Sequence, residues 1–269
     1  MKVNLIFGYT GFLAKNLYLQ LIKKKQKVFV ITRQVIKKKN FISLNLYNKQ
    51  KIGLILDKVK PDYIWNMVGI NSVNLKKNMA INYDLSKFII ETDYNLKFKP
   101  KILLIGSIAE YGDYKKKFIE SDSLNPINNY GLSKSFQSIY ALNHAKQFKT
   151  KIIIARVSNI FGENMSDKFF LKKAYNYKSS HKNKTIIYKN FKRDYIHIDI
   201  VIKMLYKLMH SGAIGEVYNI GSGVAKSNFK IFKEILNKNN VNINMNNIEI
   251  KDNKTSSTIY FDIRKFNLI

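Results

Sequence analysis

The first 22 residues constrain the fold more than any other stretch. Residues 2–7, KVNLIF, are an apolar run of strand length that stops at Gly8. Gly8-Tyr9-Thr10-Gly11-Phe12-Leu13-Ala14 follows, and Ala14, Leu17, Leu21 and Ile22 then recur at helical spacing. Strand, glycine turn and helix in that order are the context a dinucleotide-binding turn requires. Gly8 permits the tight turn, and Gly11 lets backbone approach a pyrophosphate at the helix N-terminus. Ala14 is small enough for the helix to pack closely on the strand. Thr10, Phe12 and Leu13 complete the candidate cofactor-contacting turn.

The same alternation continues. Residues 27–31, 41–44, 62–69, 101–105 and 151–155 read as further strands. Helical patterns separate them: one through 55–59 that stops at Pro61, one over 82–95, and one that starts at Tyr130. Near-continuous apolar strands alternating with helices predict an α/β fold with a Rossmann-type, doubly wound parallel sheet covered on both faces. Right-handed crossovers leave little freedom in its topology. Ligands bind such sheets outside the carboxyl ends of the strands. The candidates there are Arg33 after the second strand, Asn45 after the third (as a neighbour of an adenine), Met67, Val68 and Gly69 at the exit of the fourth, and Ser107 after the fifth. An acidic residue at the end of the second strand would bind ribose hydroxyls, whereas an arginine accepts a 2′-phosphate. Thr32-Arg33 therefore favours NADP(H), with NAD(H) as the alternative.

Tyr130-Gly131-Leu132-Ser133-Lys134 places a phenol and an ammonium four residues apart, on one helix face. An unperturbed tyrosine holds its proton to about pH 10. A cation beside it favours the phenolate and is expected to lower that value into the range of general acid–base work. Alone, Tyr-x-x-x-Lys is a common surface pattern. Ser107, at a strand end on the same crevice edge, gives it a catalytic context.

Composition narrows the class. A chain of 269 residues buries a full core, and no run approaches the roughly 20 apolar residues of a membrane span. The opening residues are too short an apolar run for a signal peptide, so a cytoplasmic protein is expected. There is no cysteine, hence no disulfide or thiolate site. His197 has no second histidine at ligand spacing, and no metal is expected. The formal charge of +29 is spread over scattered lysines, with no basic tail. That pattern suits a solvated surface and a phosphorylated substrate better than a nucleic-acid-binding segment.

Together these residues resemble the extended short-chain dehydrogenase/reductases of the NAD-dependent epimerase/dehydratase family. The resemblance runs from the Gly8–Ala14 turn through Asn82, Ser107-Ile108-Ala109-Glu110-Tyr111-Gly112 and Tyr130–Lys134. It continues through Arg156-Val157-Ser158-Asn159-Ile160-Phe161-Gly162, Arg193-Asp194-Tyr195-Ile196-His197-Ile198-Asp199 and Asn219-Ile220-Gly221-Ser222-Gly223. It implies that Ser107 holds the reacting sugar oxygen, that Tyr130 is the acid–base, and that Lys134 binds the nicotinamide ribose. Val157 would lie against the cofactor. Ile108, Asn159 and Arg193 would contact a nucleotide-diphosphate sugar, with Arg193 on the diphosphate. Asp194, Tyr195, His197 and Asp199 read as framework. The resemblance further implies a dinucleotide-binding domain over 1–160 that also receives a later strand near 185–200. Residues 161–269 would form mainly an interwoven lid, and relatives end in a further turn and helix. A homodimer through helices 81–95 and 130–148 is expected.

Dehydratases of this group carry an Asp-Glu pair shortly after the Ser or Thr. Here those positions read Ala109-Glu110, which removes half of it. The expected reaction is therefore NADPH-dependent reduction of a nucleotide-activated 4-keto(-6-deoxy) sugar, in surface-glycan precursor synthesis. The alternatives are an NAD-dependent 4-epimerase and a non-catalytic NADP- or nucleic-acid-binding protein.

Overall fold

The apolar runs become buried parallel strands. The structure, a computed structural model, describes residues 1–44, 48–94, 98–114, 116–177, 185–188, 191–242, 244–251 and 257–269. The chain opens with β1 (Val3–Phe7), α1 (Phe12–Lys23), β2 (Lys27–Thr32), β3 (Phe41–Ser43), α2 (Lys49–Val59) and β4 (Tyr63–Asn66). Then come α3 (Leu75–Asn78), a π-helical segment at Met79–Asp84, α4 (Leu85–Tyr94), β5 (Lys101–Ser107), β6 (Lys116–Phe118), α5 (Asn129–Phe148) and β7 (Ile152–Val157). Helix formation thus begins earlier than the expected residue 82, and α2 starts at a cap from the Asn48 side chain.

The second half contributes β8 (Asn159–Phe161), α6 (Lys172–Tyr175), β9 (Thr185–Tyr188), β10 (Phe191–His197), α7 (Ile198–Ser211) and β11 (Val217–Ile220). It ends with β12 (Ala225–Ser227), α8 (Asn228–Lys238), β13 (Ile248–Lys251), β14 (Ser257–Phe261) and α9 (Arg264–Asn267). The seven-stranded sheet runs β11-β7-β5-β4-β1-β2-β3 with every pairing parallel. Alternate strand residues serve opposite faces. Ile6 and Leu103 pack with Leu17 of α1 and Leu205 of α7, while Leu5, Phe7 and Leu104 pack with Leu56 of α2, Ile89 of α4 and Ala141 of α5. Both faces are covered, so these strands carry no polar alternation.

One expectation needs correction. The later strand that joins this sheet is β11, not a strand near 185–200. All four residues of β11 are buried, and it pairs with β7. Among the described residues β9 pairs with β13 alone, and β10 alternates in burial, as suits the half-covered second sheet β12-β10-β14-β6. The C-terminal half of β10 also pairs with β8. After β14 the chain makes only the short α9, which buries Phe266. Among the described residues no helix is long and apolar enough to cross a membrane.

The two halves are pinned by one carboxylate. Asp194 of β10 is fully buried and accepts five hydrogen bonds: from Ser158 Oγ, Ser222 N, Ser222 Oγ, Gly223 N and Phe261 N. The donors come from the end of β7, the loop after β11 and β14, so one side chain ties the large sheet to the small one. Asp194→Ala would leave buried N–H groups unpaired, each costing about 1–3 kcal/mol. Chemical denaturation is expected to show a loss of about 3–5 kcal/mol.

Candidate active site

The site is built by bringing the first turn of α5 down onto the end of β5. Ser107, the last residue of β5, is buried; its N–H donates to Glu110 at 2.7 Å and its Oγ accepts from Ala109 N at 3.1 Å. This reciprocal pair is a capping box around the short turn Ile108–Glu110. The Asn128 side chain accepts from Gly131 N at 2.8 Å and opens α5. Gly131 lies so close to the Ser107 turn that a Cβ on it would stand 2.3 Å from the Ala109 carbonyl. Tyr130 is thereby brought beside Ser107, whose hydroxyl favours its phenolate.

Lys134 is fully buried one turn further on. Its Nζ donates to Ile105 O at 2.9 Å, Gln137 Oε1 at 3.1 Å and Val68 O at 3.4 Å. A Cβ added to Gly69 would stand 3.6 Å from that nitrogen. The ammonium thus joins the exits of β4 and β5 and sets the Met67-Val68-Gly69 loop beside the Tyr130 edge. Burial lowers its pKa to about 8, partly opposed by the Glu110 carboxylate.

Tyr130 differs from expectation. Its pKa is raised, not lowered: burial dominates, the Ser107 hydroxyl beside it pulls it back, and the Glu110 charge pushes it up again. The reason is geometric. The nearby cation spends its donors on carbonyls and Gln137, and desolvation of the phenolate decides the direction. The phenol is therefore held protonated.

Glu110 is fully enclosed, its carboxylate taking the Ser107 N–H, the Ser138 hydroxyl and Arg156 Nε, the last at 2.9 Å. Arg156 also donates to Tyr111 Oη at 2.8 Å, and Tyr111 donates to Asn219 at 2.9 Å. This acid is a structural member of a buried network. Asn82, on the π-helical segment, accepts from Ile70 N and donates to Ile70 O and Ser133 Oγ. It clamps the loop after β4 to the helix carrying Tyr130 and Lys134. The sequence marked Asn82 only as part of a resemblance, and nothing near it announced a clamp.

The dinucleotide turn fits its expected group. Gly8 adopts φ 91°, and a Cβ there would stand 2.8 Å from the Val68 side chain, so the ends of β1 and β4 approach closely. Gly11 N-caps the 12-residue α1 with no side-chain hydrogen bond, leaving its first N–H groups for an anion. Thr10 and Gly11 are exposed, Phe12 and Leu13 half-buried, Met67 and Val157 buried. Val157 is the register partner of Ser107. Arg33 is exposed immediately after β2. Asn45 lies outside the described residues.

The lid-side candidates are engaged within the protein. Asn159 Nδ2 donates to Asp194 O at 3.0 Å. Arg193 donates to Ser257 O at 2.9 Å and Lys192 O at 3.0 Å, with Nη2 3.8 Å from Asp113. Ile108 packs against the cluster of Tyr111, Phe118 and Phe261. His197 accepts from Asp199 N at 3.3 Å and caps α7, a framework role.

Because the native Lys134 releases its proton near pH 8 and an unfolded lysine near 10.4, the unfolded chain binds more protons in between. Stability from this group therefore rises as pH increases from about 8 to 10.4. A ¹³Cε-lysine NMR titration is expected to show one resonance with a midpoint near 8 that Lys134→Met removes.

A family model for the NAD dependent epimerase/dehydratase family matches residues 4–221. The chain is 27% identical over 267 residues to a dTDP-D-glucose 4,6-dehydratase of Dictyostelium discoideum, covering 87% of this chain and 61% of that protein. It is 28% identical over 265 residues to a GDP-6-deoxy-D-talose 4-dehydrogenase of Aggregatibacter actinomycetemcomitans, covering 94% of this chain and 84% of that protein. The crystal structure of a dTDP-glucose 4,6-dehydratase from Bacillus anthracis in complex with NAD superposes with a TM-score of 0.83 at 18% identity, covering 100% and 90% of the two chains. That likeness is one of fold.

Proposed function

The chain belongs to the NAD dependent epimerase/dehydratase family, and from that premise we propose that it is an NADPH-dependent reductase of a nucleotide-activated 4-keto sugar, with a 4-keto-6-deoxy sugar the preferred form. One observation carries the choice of reaction. The Ser107 turn lies against the first turn of α5, the helix that carries Tyr130 and Lys134, while Glu110, the acid of that turn, is consumed by three donors. Dehydration needs a carboxyl group free to move a proton beside the sugar. Ala109 offers a methyl and Glu110 is locked away, which weighs against the activity named for the dehydratase relatives. The name of the talose 4-dehydrogenase relative, redox chemistry at a sugar C4, agrees with hydride transfer at that carbon.

When bound, NADPH supplies hydride to the carbonyl carbon. The Ser107 hydroxyl orients the carbonyl oxygen, and Tyr130, kept protonated by burial, gives that oxygen its proton. Lys134, charged below about pH 8, holds the cofactor ribose and offsets the phenolate left behind. The N–H groups of α1 hold the pyrophosphate, and Arg33 accepts the 2′-phosphate. Arg193 turns from Ser257 and Asp113 to the sugar-nucleotide diphosphate. Exposed Phe136 and Ile139 beside Tyr83 on the outer faces of the π-helical segment and α5 support a homodimer across them, working in the cytoplasm on surface-glycan precursors.

A titration of NADPH against NADH on the wild type and Arg33→Ala tests the cofactor choice. At least a tenfold preference for NADPH is expected, lost in the variant. With 4-keto sugar nucleotides, Tyr130→Phe is expected to lower turnover by about 10²-fold or more while cofactor binding persists. Copurified NAD with no net cofactor consumption would instead assign a 4-epimerase. Binding without any Tyr130-dependent turnover would assign a non-catalytic protein.

A further inference from the structure

Lys134 is held by two kinds of partner. An ammonium carries three donors, and three acceptors take them: Ile105 O at 2.9 Å, Gln137 Oε1 at 3.1 Å and Val68 O at 3.4 Å. Two of these are main-chain carbonyls at the exits of β5 and β4, whose places the large sheet dictates. The third is a side chain, three residues further along α5 and buried with Lys134. A change of residue can alter only that one.

The amide of Gln137 is fixed from both ends. Oε1 also accepts from Ser86 Oγ at 3.1 Å, and Ser86 is itself held by Asn66 Nδ2 at 2.9 Å. Nε2 donates to Ile105 O at 3.1 Å, the same carbonyl that takes Lys134. Lys134, the amide and that carbonyl therefore close a ring of three hydrogen bonds. A reversed amide would turn N–H groups toward an ammonium and an oxygen toward a carbonyl. Nor is Gln137 needed to satisfy Ile105 O, which already has the shorter bond from Lys134.

Water is excluded here, so the charge state of the partner at position 137 matters more than it would at the surface. A carboxylate would form a full ion pair and hold the ammonium charged far into the alkaline range. An apolar side chain would leave a buried cation with one acceptor fewer. The amide stands between these, offering a partial negative charge and no net one. Of the titratable groups around Lys134, Tyr130 lies one turn earlier on α5, and Glu110 on the turn after β5 is paired with Arg156 of β7. The β4 exit and the π-helical segment present neutral groups, Val68 O, Asn82 and Ser86.

We propose that Gln137 is a positioning residue for the proposed reaction: its amide oxygen fixes where the Lys134 ammonium stands, and its lack of net charge leaves that ammonium free to exchange a partner. The bond to Val68 O, the longest of the three, is the one a ribose hydroxyl replaces, while the ring with Gln137 and Ile105 keeps the nitrogen in place. This role rests on the assignment of Lys134 to the cofactor ribose.

The test is ¹³Cε-lysine NMR on the cofactor-free wild type, Gln137→Glu and Gln137→Met. Both replacements are close to glutamine in length, and either one alone decides the sign. The Lys134 midpoint is near 8 in the wild type. It is expected to rise by about 1–3 pH units with glutamate, an opposite charge at contact, and to fall by about one with methionine, which removes an acceptor of the charged form. A merely structural role moves both variants the same way or neither, and either result would overturn the proposal. With 4-keto sugar nucleotides the alkaline limb of kcat is expected to follow the two midpoints. A limb that stays in place while the midpoints move would overturn the part of Gln137 in catalysis. Opposite shifts in a protein without turnover would instead strike the reductase reading and leave Gln137 as the anchor of Lys134.

Discussion

The candidate catalytic edge depends on a carboxylate that never meets solvent. Glu110 accepts from Ser107 of β5, Ser138 of α5 and Arg156 of β7, so one side chain fastens α5 to two paired strands. Removing a single partner from such a pair leaves an uncompensated buried charge, which costs far more than the pair itself stabilises. Its charge also enters the electrostatics of Tyr130 and Lys134, raising the proton affinity of both. Structure and proton chemistry are here the same interaction.

Asp194 solves a similar problem by different means. No cation is among its hydrogen-bond donors; five neutral ones, three of them backbone N–H groups, surround it. Backbone amides cost no side-chain entropy to orient, and their direction is fixed by the strands and loop that carry them. Glu110 therefore organises the half of the molecule that carries the dinucleotide turn, and Asp194 holds the small second sheet to it. The lid-side residues Asn159 and Arg193 inherit their positions from that second anchor, through Asp194 O and the β10–β14 pairing.

Much of this was legible in the chain. Strands buried on both faces leave unbroken apolar runs, so six of the seven strands in the large sheet and the glycine turn after the first could be read directly. What escaped has physical reasons. β11 is a run of only Val-Tyr-Asn-Ile, too short to stand out. The strands of the second sheet are half-covered, so β10 carries mixed side chains that read equally as a late strand of the main sheet. Nothing in Met79–Asp84 marks a π-helical segment, from which Asn82 reaches both Ile70 and Ser133. The direction of the Tyr130 shift depends on desolvation, a property of the folded surroundings. The fate of Glu110 rested on Arg156, 46 residues away.

Each buried acid is also walled by a glycine. A Cβ on Gly106 would stand 2.5 Å from a Glu110 oxygen, and one on Gly221 would stand 2.5 Å from an Asp194 oxygen. Neither glycine is there for its backbone angles; each is there because an oxygen fills the space a methyl would need. The two positions of each pair are therefore epistatic. A descendant chain can lose the acid and then gain the alanine, but an alanine arriving first meets a carboxylate it cannot displace. Divergence at these anchors is constrained to an order, and sequences that have drifted there are expected to have changed both members together.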